Sequence, residues 1–312
     1  MSILVTGANG LIGRALCARL QLEGEVVRAA VRTSESIPGA FVVGDIHAST
    51  DWSTALTGVS VVVHLAARVH VMDDTAEDPM AEFRRVNVDG TLNLARQAVA
   101  AGVKRFVFVS SIKVNGEFTR PGVVFRESDV PDPQDNYAIS KYEAEQGLRA
   151  IAEATGLELV IIRPPLVYGP GVKANFDALM RVVVKGWPLP LGAVHNQRSL
   201  IALDNLVDFL MTCISHPQSA GQTFLVSDGK DLSTSELVRG LAQALGVPVR
   251  LLPVPVWTLQ LIGGLIGKGG AVQRLCANLQ VDSAKSRNLL GWTPPVSVQE
   301  GLMRAAAGVT SP

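Results

Sequence analysis

The sequence predicts an α/β protein in which helices cover both faces of a doubly wound parallel sheet, followed by a smaller mixed α/β C-terminal lobe. Short apolar runs without polar alternation, typical of strands buried on both faces, recur through the first half of the chain. These runs are "ILVTG", "EVVRAAVR", "AFVVGD", "VSVVVHLAA", "KRFVFVSS" and "LELVIIRPP". Longer helical stretches separate them, and most of these end at a glycine.

The composition limits the possible classes of function. The 312 residues, 47% of them hydrophobic, suffice for a large core, and the 28 basic side chains balance 28 acidic ones, so no overall charge attracts nucleic acid. The three cysteines lack metal-site spacing, and we expect neither a metal nor a disulfide. The N-terminal segment does not resemble a signal peptide, which favours the cytoplasm. The apolar segment 256–267 is too short to span a membrane, and we expect a buried or partner-facing helix there.

The glycine-rich stretch "TGANGLIG" at residues 6–13 follows the first strand and opens the first helix. Backbone N–H groups of such a turn converge on one small volume, which favours a phosphate. We expect Gly7 to make the tight turn, Gly10 to let a pyrophosphate approach the backbone, and Gly13 to let the helix pack against the strand. The pattern predicts a Rossmann-type dinucleotide site. The other turn residues of this site are Asn9, Leu11 and Ile12.

Proline and glycine become frequent after Pro165, which indicates a change of architecture. We therefore predict a dinucleotide-binding Rossmann domain over residues 1–165 and a substrate-binding lobe over residues 166–312. Segments at about 199–226 are expected to return to the first domain.

The ends of the later strands predict the rest of the cofactor site. Arg32 stands where an acidic residue would select NAD, and its guanidinium favours the 2′-phosphate of NADP, with NAD as the alternative. Asp45 ends the third strand, where a carboxylate can accept a hydrogen bond from the adenine amino group. Small residues in "HLAA" let the cofactor lie across the tip of the fourth strand. The remaining predicted cofactor-binding residues are Ile46, Leu65, Ala66, Ala67, Ser110, Tyr137, Lys141, Pro164 and Val167.

Tyr137 and Lys141 in "NYAISK" are four residues apart on a predicted helix, so their side chains share a face. A lysine cation and a bound nicotinamidium both favour the phenolate, which makes Tyr137 a candidate general acid and base. Ser111 ends the fifth strand on the same edge of the sheet. Its hydroxyl can donate a hydrogen bond to a substrate oxygen that changes between carbonyl and alcohol.

This combination resembles the extended branch of the short-chain dehydrogenase/reductase superfamily, the family of NAD(P)-dependent nucleotide-sugar epimerases, dehydratases and 4-ketoreductases. The resemblance covers nearly the whole chain. The motifs that carry it are "TGANGLIG", "GDI", "HLAA", "NVDGT", "VSSIKVNG", "YAISK", "RPPLVYGPG", "RSLIALDNLVD" and "DSAKSRNLLGW".

The resemblance implies roles for individual residues. Ser111, Tyr137 and Lys141 match the family's catalytic Ser/Thr, tyrosine and lysine, and Arg198 matches an arginine that clamps the diphosphate of the substrate. The substrate-binding residues implied are Arg68, Asn87, Ser111, Asn175, Arg198 and Arg274. The family further implies a nucleotide-sugar, here a UDP-sugar, as the substrate, and a homodimer paired through two helices, one of which carries Tyr137.

Departures from the family pattern narrow the reaction. Ile112 and Lys113 replace the Asp-Glu pair that dehydratases carry after the catalytic threonine, so dehydration is not expected. Asn115 replaces a common tyrosine, and Leu166 replaces an asparagine that contacts the substrate.

Three functions remain open. The motifs "VSSIKVNGE" and "RPPLVYGPG" resemble those of UDP-4-keto-6-deoxy-N-acetylhexosamine 4-reductases of surface-polysaccharide biosynthesis, which is the first prediction. A UDP-glucose or UDP-GlcNAc 4-epimerase is the alternative. A non-catalytic cofactor-sensing protein is the third, and the joint presence of Ser111, Tyr137 and Lys141 argues against it.

Overall fold

A computed structural model describes residues 1–33, 37, 39–69, 77–172 and 175–308 of the chain. Within these residues the main sheet has seven strands, in the order β3-β2-β1-β4-β5-β6-β9, and every neighbouring pair is parallel. The strands are β1 (Ser2–Thr6), β2 (Val26–Val31), β3 (Phe41–Val42), β4 (Val61–His64), β5 (Arg105–Val109), β6 (Glu158–Arg163) and β9 (Thr223–Leu225). The predicted doubly wound parallel sheet is confirmed.

Helices cover both faces of this sheet, which explains why its central strands are apolar along their whole length. In chain order the helices are α1 (Leu11–Leu22), α2 (Ser53–Leu56), α3 (Pro79–Arg84), α4 (Thr91–Ala100), α5 (Asn136–Thr155), α6 (Asn175–Val184), α7 (Leu203–Ser215), α8 (Thr234–Leu245), α9 (Val256–Leu265), α10 (Gly269–Cys276), α11 (Ala284–Leu290) and α12 (Val298–Ala307). One core cluster joins the sheet to α1 and α7 and includes Leu16 and Leu206. A second joins the opposite face to α4 and α5 and includes Leu94 and Leu148.

The C-terminal half adds a smaller layer beside the sheet. Strands β7 (Leu166–Tyr168) and β8 (Leu200–Ala202) form a parallel pair. A third core cluster, with Tyr168, Leu237 and Leu302 among its buried members, packs α6, α8 and α12 together. Strand β9 lies in the main sheet beside β6, although it follows β8 in the chain. The domain boundary at residue 165 stays a prediction.

Two segments differ from their predicted structure. The helical stretch before the fifth strand is interrupted by a π-helical turn, Arg85–Gly90, between α3 and α4. The apolar segment at 256–267 forms α9, but Gly263 is the one buried residue of that helix. Helix α9 therefore lies on the surface of the smaller lobe and is not buried, and of the two expected arrangements the partner-facing helix stays a prediction. Across the described ranges, no helix is long and apolar enough to cross a membrane.

Candidate active site

The glycine turn between β1 and α1 has the close packing that its sequence predicts. Gly7 has φ +64°, and a Cβ there would lie 2.9 Å from the backbone N of Ala66. The N–H of Gly10 donates to the carbonyl of Gly7 over 2.9 Å. A Cβ on Gly13 would lie 2.2 Å from the Gly7 oxygen. Position 13 therefore requires glycine because it packs against the Gly7 carbonyl of the turn. The predicted packing of Gly13 against strand β1 is not the reason.

The N-terminus of α1 fits the diphosphate of a dinucleotide. Gly10 is its N-cap, with no capping side chain and no acidic residue in the first turn. The uncapped N–H groups and the helix dipole therefore favour an anion there. Ser110, at the carboxyl end of β5, is buried, and its Oγ has no hydrogen-bond partner among the described residues. A buried unpaired hydroxyl on this sheet edge also fits a polar ligand.

At the adenosine end, Arg32 and Asp45 lie next to each other. Arg32 Nη1 is 3.8 Å from Asp45 Oδ1, and both side chains are mostly exposed. Ile46 packs against Gly90, where a Cβ would come within 2.4 Å of its Cγ2. Arg32 is therefore at the surface, beside the carboxylate predicted to bind adenine. Whether it selects NADP stays a prediction.

The end of β4 is fixed to the glycine turn through Thr6. Its Oγ1 accepts hydrogen bonds from the N–H groups of Leu65 and Ala66, each over 3.2 Å, and lies 2.7 Å from His64 Nδ1. Because Oγ1 already accepts twice, its own proton points to Nδ1. His64 Nε2 then donates to Thr91 Oγ1 over 2.9 Å. Burial, and secondarily the charge of Lys141, lowers the pKa of His64 to about 3, so this histidine is neutral and structural.

Ser111, Tyr137 and Lys141 come together at the carboxyl end of β5. Ser111 lies close to the Tyr137 phenol, where its hydroxyl favours the phenolate form. Ser111 also caps the short 3₁₀ turn Ile112–Val114, because its Oγ accepts from the Lys113 N–H over 3.2 Å. Lys141 lies one turn further along α5 and is buried, with Nζ 4.0 Å from the ring centroid of Phe108. The structure therefore brings the three predicted catalytic residues to one place.

Burial shifts the pKa values of Tyr137 and Lys141 and so determines their charge states. Burial raises the pKa of Tyr137 to about 12, the charge of Asp135 adds to the increase, and the Ser111 hydrogen bond opposes it. Burial also lowers the pKa of Lys141 to about 7, against the opposing charge of Glu145. The protein by itself thus keeps the phenol protonated near neutral pH and leaves the lysine poised between its charged and neutral forms.

Lys113 and Asp135 flank the tyrosine and were not predicted to act there. Asp135 is the N-cap of α5, with Oδ1 accepting from the Ala138 N–H over 2.7 Å. Its Oδ2 lies 2.5 Å from Lys113 Nζ. Lys113 therefore holds a positive charge beside the carboxylate that raises the pKa of Tyr137. Lys113 was recognised only as a departure from the dehydratase pattern.

A buried ionic network supports α5 from behind. Arg163, at the end of β6, donates to both carboxylate oxygens of Glu145 and, through Nη1, to Asn115 Oδ1 over 2.9 Å. Asn115 Nδ2 donates to the carbonyl of Arg126. Asn115 therefore connects the loop after β5 to the ion pair. The four-residue spacing from Tyr137 through Lys141 to Glu145 was the signal that could have found Glu145.

Arg68 and Asn87 form a second edge of the site. Asn87 Oδ1 accepts from the backbone N of Arg68 over 2.7 Å, and its Nδ2 donates to the Arg68 carbonyl and to Ser140 Oγ. The Arg68 guanidinium lies over the ring of Phe83, whose centroid is 6.4 Å from that of Tyr137. Asn87 thus positions the backbone that carries Arg68, and Phe83 connects Arg68 to the tyrosine.

The remaining predicted substrate residues lie in the smaller lobe. Arg198 Nη1 donates to the carbonyl oxygens of Arg274, over 2.6 Å, and Ala277. This places Arg198 against the end of α10, while the Arg274 side chain is exposed. Asn175 begins α6, and its side chain lies outside the described part of the chain. Pro164 is buried and Val167 is half-buried at the point where the chain leaves β6 for β7.

Comparison with known proteins decides the family. Residues 3–227, more than two thirds of the chain, match the NAD dependent epimerase/dehydratase family. The chain belongs to this family. A relative from Vibrio cholerae, described as a UDP-glucose 4-epimerase, is 52% identical over 309 residues, which are 98% of this chain and 94% of the relative. The family resemblance predicted from the motifs is therefore confirmed, and the protein is an enzyme of the epimerase/dehydratase family.

Solved structures show the same fold. UDP-glucuronic acid 4-epimerase from Bacillus cereus, in complex with NAD, superposes with a TM-score of 0.80 at 21% identity, covering 99% of this chain and 98% of that one. MoeE5, in complex with UDP-glucose and NAD, superposes with a TM-score of 0.76 at 27% identity, with 99% and 98% coverage. The nicotinamide cofactor predicted for this epimerase/dehydratase enzyme agrees with the family to which it belongs.

Proposed function

We propose that this protein is a UDP-sugar 4-epimerase that interconverts UDP-glucose and UDP-galactose. The observation that carries the proposal is the position of the Ser111 hydroxyl beside the Tyr137 phenol, one turn from the buried Lys141. These side chains lie on the same sheet edge as the glycine turn. The identity of 52% to the Vibrio cholerae relative supports the epimerase over the 4-ketoreductase, which the sequence motifs had placed first.

In this proposal Tyr137 and Ser111 act on the 4-hydroxyl of the sugar. Tyr137 as phenolate takes the proton of that hydroxyl while the hydride on C4 leaves, and Ser111 donates a hydrogen bond to the oxygen as it becomes a carbonyl. A bound nicotinamide cofactor would accept the hydride of C4 and return it. After the 4-keto sugar has rotated in the site, Tyr137 would return the proton to the oxygen, so that the 4-hydroxyl forms again with the opposite configuration.

Lys141 and Lys113 both favour the phenolate form of Tyr137, which this reaction requires. The protein alone raises the pKa of Tyr137 to about 12, so the phenolate requires positive charge nearby. Lys141 in its charged form supplies part of that charge from one turn away. Lys113 neutralises Asp135, which otherwise opposes the phenolate. With Ile112 and Lys113 in place of two acids, no carboxylate at these positions can remove a proton from C5, which disfavours dehydration.

We infer that the substrate enters between the main sheet and the smaller lobe. Arg198 is a diphosphate clamp in this arrangement, because a guanidinium matches two phosphate oxygens at once. Burial lowers the pKa of Arg198, and a bound diphosphate would compensate that desolvation. Arg68 and Asn175 are proposed to contact the sugar or nucleotide.

We also infer a homodimer paired through α4 and α5. A groove between these helices is lined mainly by apolar side chains, among them Leu92, Val99 and Ile151. Gly147 lets α5 approach Leu92 of α4 closely, since a Cβ there would lie 2.6 Å from a leucine methyl. Light scattering of the purified protein should give twice the mass of one chain, 33.1 kDa.

The reaction can be tested with UDP-glucose that carries deuterium on C4. With NAD supplied and NADPH left out, we expect UDP-galactose that retains the deuterium on C4, because the same hydride returns to the same sugar. Tyr137→Phe is the inactive control. Mass spectrometry and proton NMR identify the product and the position of the label.

The 4-ketoreductase makes the opposite prediction in the same experiment. It would leave UDP-glucose unchanged and would consume NADPH with a UDP-4-keto-6-deoxy-N-acetylhexosamine. That pair of results would overturn the epimerase. Turnover of neither substrate, with intact cofactor binding, would favour the non-catalytic sensor.

A further inference from the structure

Helix α9 is apolar on both its inner and its outer face. Val256 and Leu259 pack against the core of the smaller lobe, and Gly263 lies against Val272 of α10. The outward side chains, except that of Gln260, are nevertheless large and apolar. They are Trp257, Leu261, Ile262, Leu265 and Ile266, exposed by 67%, 58%, 49%, 79% and 61%. Because a surface helix normally turns a polar face to water, these five side chains require a partner.

Helix α10 completes this surface as the second arm of a hairpin. The chain reverses at Gly267, with φ +70°, and the N–H of Lys268 donates to the carbonyl of Gly263 over 2.7 Å. Lys268 therefore stands at the tip of the hairpin, and Leu275 of α10 adds a further exposed apolar side chain. We call residues 256–276 the α9–α10 hairpin.

The charged residues within the segment that contains the hairpin are all cationic. Between Glu236 and Asp282 the sequence contains Arg239, Arg250, Lys268 and Arg274 but no aspartate or glutamate. All four cationic residues are exposed. The chain as a whole is balanced, with 28 basic and 28 acidic side chains, so this local excess is specific to the segment that carries the apolar surface.

We propose that the α9–α10 hairpin docks on the surface of an anionic lipid bilayer, with α9 lying in the plane of the interface. An anionic bilayer binds surfaces on which apolar and cationic side chains lie side by side. The apolar side chains insert at the boundary of the acyl chains, and the cationic side chains pair with lipid phosphates. Trp257 suits the interface because its ring is amphipathic. At ten residues, α9 is too short to span the bilayer.

A second copy of the chain fits this surface less well. A two-fold interface places the same patch on both partners, so the cations of one hairpin would face those of the other without an acidic residue of the segment to pair with them. Phospholipid headgroups provide the opposite charge. The bilayer is therefore the occupant that the charges favour.

Docking would bring the candidate substrate pocket close to the membrane. Arg198, the proposed diphosphate clamp, donates to the carbonyl oxygens of Arg274 and Ala277 at the end of α10. The proposed diphosphate clamp thus contacts the C-terminal end of the hairpin. The docking itself does not depend on the reaction that the site catalyses.

Vesicle co-sedimentation of the full-length protein tests the proposal. We expect binding to vesicles of phosphatidylcholine and phosphatidylglycerol, weaker binding to phosphatidylcholine alone, and weaker binding at high salt. Leu261→Gln combined with Leu265→Gln should lower the partition coefficient by about tenfold or more. Arg250→Gln combined with Lys268→Gln should lower it on anionic vesicles only.

A matched control distinguishes binding through this surface from nonspecific hydrophobic binding to vesicles. Leu22 and Val130 are apolar side chains far from the hairpin in the sequence, and they are exposed by 85% and 87%. The double variant Leu22→Gln with Val130→Gln should leave vesicle binding unchanged. All variants alter exposed side chains, and thermal unfolding verifies that each is folded. Equal binding of the hairpin variant and the wild type, or no binding to either vesicle, would overturn the proposal.

Tryptophan fluorescence gives an independent measurement. Of the four tryptophans, Trp52 and Trp292 are buried, and Trp187 and Trp257 are exposed. The Trp187→Phe protein should therefore show a blue shift of its emission on anionic vesicles, while the Trp257→Phe protein should not. If the hairpin variant instead loses an oligomer seen by light scattering and vesicles cause no blue shift, the surface belongs to a second copy.

Discussion

Glu145 and Arg163 form a buried ion pair that joins the helix of the candidate catalytic residues to the end of a central strand. Arg163 Nε donates to Glu145 Oε1 over 2.9 Å, and Nη2 donates to Oε2 over 2.5 Å. Glu145 lies one turn beyond Lys141 on α5, so the pair holds the helix face that carries Tyr137 and Lys141 at a fixed distance from β6.

Removal of one partner of this pair should destabilise the protein. Glu145→Gln leaves the Arg163 charge buried without its counterion, and we expect a loss of about 3–5 kcal/mol in the free energy of unfolding. Urea denaturation measures it. Glu145→Met with Arg163→Met should lose less, because no charge stays buried. As a control, Asp204→Asn at the half-exposed Arg304 pair should cost less than about 1 kcal/mol. Equal losses at the two sites would contradict the assignment.

Tyr137→Phe should remove turnover while leaving the fold and cofactor affinity intact. Loss of a positioned acid and base lowers kcat by about 10²–10⁴-fold. The measurement is the rate of UDP-sugar interconversion, with NAD affinity determined by titration. Tyr142→Phe is the matched control on the same helix, since its hydroxyl contacts Gln146 at the surface. Substantial residual activity of Tyr137→Phe would remove this residue from the mechanism.

Charges around the tyrosine should move the pH profile in opposite directions. Asp135→Asn retains a capping side chain but removes the negative charge that raises the pKa of Tyr137, so the rising limb of kcat should move to lower pH. Lys113→Met exposes the phenol to the full charge of Asp135, and the limb should move to higher pH, by about one unit. Asp132→Asn, at an exposed position, should leave it in place. Shifts of the same sign in both variants would exclude this electrostatic role.

His64 should make the fold sensitive to acid. Its pKa is about 3 in the folded protein and about 6.5 when unfolded. Between these values the unfolded chain binds the additional proton, so the free energy of unfolding should fall by up to about 1.4 kcal/mol for each pH unit below 6.5. Denaturation at a series of pH values should show a flatter profile for His64→Gln. His195→Gln, at an exposed histidine, should keep the wild-type slope.

Arg32 decides the cofactor only if its guanidinium reaches the ribose. Arg32→Asp should lower the affinity for NADPH relative to NADH by about tenfold or more, because a carboxylate repels the 2′-phosphate. Titration of the cofactor-free protein with both nucleotides measures the ratio. An unchanged ratio would mean that Arg32 serves only its surface pair with Asp45.

The sequence predicted the parts of the fold that depend on local pattern. Apolar runs identified the main strands, and the spacing of glycines identified the turn between β1 and α1. The four-residue spacing of Tyr137 and Lys141 placed them on one helix face, and the strand end placed Ser111 at the same sheet edge. Each of these properties belongs to a short segment or to the common edge of parallel strands.

The contacts that adjust the site escaped prediction because they join distant segments. Asn115 was noted only as a missing tyrosine, and its amide connects Arg163 to the loop carbonyl of Arg126. Asp135 and Lys113 are 22 residues apart and pair only after β5 and α5 have packed. Helix α9 was expected to be buried or partner-facing, and no pattern within its ten mostly apolar residues distinguishes an inner from an outer face.

By itself the sequence determined the sheet, the phosphate-binding turn, the three candidate catalytic residues and the family. These follow from side-chain periodicity and backbone freedom, which act within one segment. Only the tertiary structure decided which charges neighbour the tyrosine, which ion pair supports its helix, and that α9 turns large apolar side chains to the outside. Burial and electrostatic coupling depend on distances between segments far apart in the chain, and folding alone establishes those distances.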